Sequence, residues 1–110
     1  MLRIAGSSMF FHDYELDQIF DFTERAGMDT MEFWIETPAF WLNGTEPDHL
    51  LECLNNHPAL LPINMHAPVL DLNPCSINPD VAEVSIMHAI RAIELADKLG
   101  VEVLTIHPGR

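Results

Sequence analysis

Basic residues are scarce in this sequence: 5 lysines and arginines face 17 aspartates and glutamates, and Lys98 is the only lysine. A formal net charge of -12 repels a phosphodiester backbone at long range, which disfavours nucleic acid as a partner. Cysteine is equally sparse. Cys53 and Cys75 lie far apart, without the dense pattern of a secreted disulfide scaffold, and read as free thiols. Long apolar runs are missing as well: Ala59 to Leu61 and Val101 to Ile106 stop far short of the roughly 20 residues of a membrane helix. The N-terminus turns polar at His12 and Asp13, so no secretory signal region is expected. A cytoplasmic setting is the default, with no membrane partner. The acid-rich, lysine-poor composition suits a salt-rich interior, where screening removes most of the self-repulsion.

What is present is enough for one modest core: 110 residues, 48% of them hydrophobic, read as a single domain spanning 1–110. Short apolar runs alternate with longer segments of helical period, which favours a parallel α/β sheet. There are four such units. The first run, Leu2 to Ala5, is followed by a helix with Leu16, Ile19, Phe20, Phe22 and Ala26, begun by Asp13 and closed by Gly27 in the left-handed region. The second, Thr30 to Ile35, leads through a loop with Pro38, Phe40 and Trp41 to a helix capped by Thr45, with Pro47 in its first turn. The third, Leu60 to Met65, opens into a long turn-rich loop, and Asn78-Pro79-Asp80 starts the longest helix. That helix should bury a stripe of Val81, Val84, His88, Ala92 and Leu95, widened by Ile86, Ala89, Ile90 and Ile93. The fourth run is Val101 to Ile106. A spacing of 30 to 41 residues between strand ends is that of βα units.

The residues that point to chemistry stand where these strands end. His66 in Asn-Met-His-Ala-Pro and His107 in Thr-Ile-His-Pro-Gly each close a strand, with Pro68 and Pro108 turning the chain outward behind them. Ligands are handled at that edge of a parallel sheet. Neighbouring strands lie about 4.8 Å apart, so two imidazoles leaving adjacent tips can reach one cation. Glu32 and Glu36 share one side of the second strand; Glu32, in an apolar run where a carboxylate needs a partner, is the stronger candidate. Trp34, Trp41 and Phe40 offer an apolar wall, and His12 lies in the first loop. His49, His57 and His88 belong to helices and carry no assigned chemistry.

Met-His-Ala-Pro followed about 40 residues later by Ile-His-Pro-Gly, behind a strand of the type Gly27-Met28-Asp29-Thr30-Met31-Glu32-Phe33-Trp34, resembles the xylose-isomerase-like barrels. That superfamily includes sugar and sugar-phosphate isomerases and epimerases together with endonuclease IV. The resemblance implies an α/β fold: the first four βα units of a (β/α)₈ TIM barrel, a parallel sheet in sequential order with helices outside. It implies that His66 and His107 are metal ligands, for zinc, manganese or a similar divalent ion, and that Glu32 sits at the active-site face as the catalytic residue. The family's remaining ligands come from strands five to eight, so this metal site is expected to be incomplete and the 110 residues alone inactive. The expected activity is that of a metal-dependent isomerase or epimerase acting on a small sugar or sugar phosphate. The alternatives are an endonuclease IV-like zinc phosphodiesterase acting on apurinic DNA, and a non-catalytic half barrel that associates with itself or another chain through the open sheet.

Overall fold

The computed structural model describes residues 1–109. Four strands, β1 (Ala5–Ser7), β2 (Thr30–Trp34), β3 (Asn64–His66) and β4 (Leu104–Thr105), form one parallel sheet in the order β1-β2-β3-β4. Between them run α1 (Leu16–Arg25), a single turn α2 (Pro38–Trp41), α3 (Pro47–Asn56) and α4 (Pro79–Lys98). This is the sequential parallel order expected of a partial barrel. No described helix is long and apolar enough to cross a membrane.

The strands are shorter than the apolar runs, and each shift has a cause. Pro58 to Leu60 closes a 3₁₀ turn, and Pro62 has no N–H to give a ladder, so β3 starts only at Asn64. Strand β4 is an edge paired on one side only, although Met65 N–H to Val103 O and Ala67 N–H to Thr105 O extend its contact with β3. Strand β1 begins at Ala5 rather than Leu2. Gly6 there lies against α1: a Cβ on it would stand 3.1 Å from both Thr23 Cγ2 and Met28 Cγ, closer than a side chain comfortably fits.

The helix starts are also displaced. Glu15, not Asp13, caps α1, with the Gln18 side chain accepting from the Glu15 N–H at 3.2 Å. Glu46, not Thr45, precedes α3, with Pro47 inside its first turn as expected. Asn78 caps α4 by accepting from the Asp80 N–H at 3.1 Å, and Gly27 takes φ 76° behind α1.

Alternation along the strands sorts their side chains. Met31, Phe33, Ile35 and Met65 are buried on the helix side, where Phe20 of α1, Phe40 of α2 and Leu50 and Leu54 of α3 complete the core. Glu32, Trp34, Asn64, His66 and Thr105 occupy the opposite, inner face. That face is mixed rather than apolar. Helix α4 contributes exposed apolar surface: its buried positions are Ser85, Ala92 and Ala96, whereas Ile86, Ile90 and Ile93 remain about half exposed. The widened stripe expected from the sequence is therefore only partly covered: Val81 and Val84 at its start are exposed as well.

Candidate metal and substrate site

The ladder pairs Trp34 with His66 and His66 with Thr105, so these three side chains form one rung on the inner face, and His107 projects two residues beyond it. The His66 ring is buried and held on three sides. Trp34 stacks on it with ring centroids 3.6 Å apart and planes 3° from parallel. Its Nδ1 lies 2.8 Å from Ala67 O, and because a carbonyl can only accept, Nδ1 carries the proton. That leaves the Nε2 lone pair directed at His107, whose Nε2 is 3.1 Å away. Without a cation, His107 Nε2–H donates across this gap. The expected approach of the two rings at one sheet edge is thus met.

The separation also suits a shared ion. Two nitrogens bound at about 2.05 Å lie roughly 2.9 Å apart around an octahedral ion and roughly 3.4 Å apart around a tetrahedral one, and 3.1 Å falls between. A backbone carbonyl fixing the remote nitrogen is the usual outer support of a metal-binding imidazole. No third His, Cys, Asp or Glu among the described residues completes a ligand group with this pair.

The other sequence candidates separate. Glu32 is half-buried on the inner face, in register with Ser7 and Asn64, and two residues below the Trp34–His66 rung, a drop of about 7 Å along the strand. Glu36 is only 7% exposed, and both its oxygens are committed: Oε2 accepts from Val69 N–H at 3.0 Å and Oε1 from Leu70 N–H at 2.8 Å. It anchors the loop that leaves His66. His12 is exposed on its loop beside Asp13, with Nε2 to carboxylate 3.3 Å. Phe40 is buried against Phe33, and Trp41 tilts against His88, so of the three proposed wall residues only Trp34 reaches the rung.

Sequence reasoning missed the supports beneath this site. Ser8 Oγ accepts from the Trp34 N–H at 2.9 Å and shares a buried hydrogen bond of 2.6 Å with Thr37 Oγ1, which fixes the end of β2. The Trp34 Nε1–H is shielded from solvent and meets no acceptor among the described residues. A second cluster was also missed, between α1 and α3: Asp17, His49 and Cys53 bring one ligand atom each to within 4.8 Å of one another. Hydrogen bonds from Cys53 and then His49 hold the Asp17 carboxyl below its ordinary range, while burial, followed by the Asp17 hydrogen bond, pushes the Cys53 thiol up to about 12. The spacing of His49 and Cys53 was readable as one helix face; the arrival of Asp17 from another helix was not.

Comparisons with known proteins agree with the fold. Residues 20–110 match the model of a family described as xylose isomerase-like TIM barrel. An uncharacterized protein of Methanocaldococcus jannaschii is 36% identical over 110 residues, which are 100% of this chain and 40% of that protein. A probable endonuclease 4 of Persephonella marina is 28% identical over 98 residues, 86% of this chain and 34% of that protein. The crystal structure of a D-tagatose 3-epimerase-like protein superposes with a TM-score of 0.77 at 28% identity, over 98% of this chain and 38% of its own. The chain therefore spans well under half the length of each relative.

Proposed function

Since the chain belongs to the xylose isomerase-like TIM-barrel family, we propose that it forms part of a metal-dependent sugar or sugar-phosphate isomerase or epimerase, with His66 and His107 as two of the metal ligands. The observation that carries this reading is the 3.1 Å approach of two Nε2 atoms at the sheet edge, one of them tautomerically fixed as an acceptor. When bound, a zinc or manganese ion polarises the carbonyl and hydroxyl oxygens of a substrate.

The remaining work falls to the chain's own groups. Trp34 holds His66 flat and presents an apolar face to a sugar ring. Glu32, on the same face of β2, is the carboxylate assigned to move a proton at the carbon beside the carbonyl. Glu36 positions the loop that leaves His66, each of its oxygens accepting one backbone N–H. A reducing cytoplasm fits the two free thiols.

The likeness to a probable endonuclease 4 supports a second reading, zinc-dependent cleavage at abasic sites, against which the charge of -12 weighs. A third, a non-catalytic half barrel that associates with itself, draws on the exposed isoleucines of α4. One experiment separates them. Because the 110 residues alone are expected to be inactive, the chain is assayed together with the remaining barrel units: it is incubated with manganese or zinc in heavy water, with tagatose, other ketohexoses and their phosphates, and exchange at the carbon next to the carbonyl is followed by NMR. Metal-dependent exchange that Glu32→Gln lowers by at least about a hundredfold is expected for a general base. Absence of exchange with cleavage of an abasic oligonucleotide would replace the isomerase reading by the nuclease one, and absence of both would favour the non-catalytic one.

A further inference from the structure

The outward-facing cluster on the helix side of the sheet plays no part in that chemistry. From its geometry we infer that Asp17, His49 and Cys53 form a second metal site, selective for a thiophilic divalent cation such as zinc, which clasps α1 to α3.

Three features carry this assignment. The first is distance. Asp17 Oδ2 lies 3.3 Å from His49 Nε2 and Asp17 Oδ1 lies 3.2 Å from Cys53 Sγ, and all three ligand atoms fall within 4.8 Å of one another. Ligands at 2.0 to 2.3 Å from a tetrahedral ion stand roughly 3.3 to 3.8 Å apart, so small rotations of three side chains close the shell. The second is rigidity. His49 and Cys53 are four residues apart on one face of α3, and Asp17 sits in the first turn of α1, so all three ligands stand on helices rather than loops.

The third is the ligand set and its access. One sulfur, one imidazole nitrogen and one carboxylate oxygen suit zinc and its relatives, and disfavour magnesium and calcium, which take oxygen alone. Cys53 is fully buried at the base of the cluster, while the Asp17 and His49 side chains are 64% and 50% exposed, so a cation enters from solvent and keeps room for a water. The site stands on α1 and α3, whereas His66 and His107 project from the inner face of the sheet. Its role is structural: it joins helices of two successive βα units.

Cobalt(II) tests this directly, because only a thiolate ligand gives the intense near-ultraviolet sulfur-to-cobalt band, which the imidazole pair at the sheet edge cannot produce. Titrating the protein with cobalt should raise that band to a stoichiometric end point, and zinc should bleach it. Cys53→Ser should remove the band and Cys75→Ser, in an exposed loop, should leave it. His49→Gln, at an exposed position that folding tolerates, should weaken cobalt binding by at least about tenfold. If Cys53→Ser does not fold by circular dichroism, His49→Gln alone decides. A protein without the band, or with a band that survives both Cys53→Ser and His49→Gln, would reduce the cluster to a hydrogen-bonded clasp.

Discussion

Replacing Glu36 should loosen the metal edge without touching a ligand. Its carboxylate receives two charge-assisted hydrogen bonds, of 3.0 Å from Val69 N–H and 2.8 Å from Leu70 N–H, at a position 7% exposed. Bonds to a charged acceptor are each worth about 1.5 to 3 kcal/mol. Val69 is half-buried and Leu70 exposed, so water recovers part of the loss when the acceptor is deleted. Glu36→Ala should therefore cost about 3 kcal/mol, and Glu36→Gln, which keeps one acceptor oxygen, about 1 to 2 kcal/mol. With a urea slope of about 1 to 3 kcal/mol per molar, the alanine variant's midpoint should fall by about 1 to 3 M. Hydrogen exchange at the Val69 and Leu70 amides should accelerate most, and the accelerated segment should begin just after Pro68, close behind His66. An unchanged midpoint together with unchanged exchange at these two amides would refute the assignment of Glu36 as the loop's anchor.

Two further outcomes follow from the same geometry. Because the folded Cys53 thiol titrates near 12, above its unfolded value near 9, its stabilising contribution is complete below about pH 9 and is lost as pH rises from there toward 12. Alkaline melts should show this loss in the wild type and not in Cys53→Ser. On α4, Ile90→Glu with Ile93→Glu should lower self-association in sedimentation and dye binding without changing far-ultraviolet circular dichroism; unchanged association would clear this face of that role.

The alternation of short apolar runs and helical periods was enough to read four βα units in their sheet order, because right-handed parallel topology leaves few alternatives. His66 and His107 were legible for a related reason: a proline two residues or one residue behind a strand end marks the rim. The strand limits were not legible, since Pro62 and the close approach at Gly6 act through ladder pairing and helix contact rather than through local hydrophobicity. The sequence ranked Glu32 above Glu36, just past the end of β2, but the part Glu36 plays was not legible. Glu36 is the more buried, yet its role depends on two amides of a loop over thirty residues away. Asp17 and Cys53 show the same limit, as each meets its partner only through helix packing.

Zinc calorimetry on the sheet-edge pair tests the central claim most directly. In a Cys53→Ser background, which removes the helix-side site, the protein should bind zinc; His66→Ala and His107→Ala should each abolish most of that binding, and His12→Ala should leave it unchanged. Equal binding by all the variants would contradict the account and return the 3.1 Å contact to an ordinary hydrogen bond between two histidines.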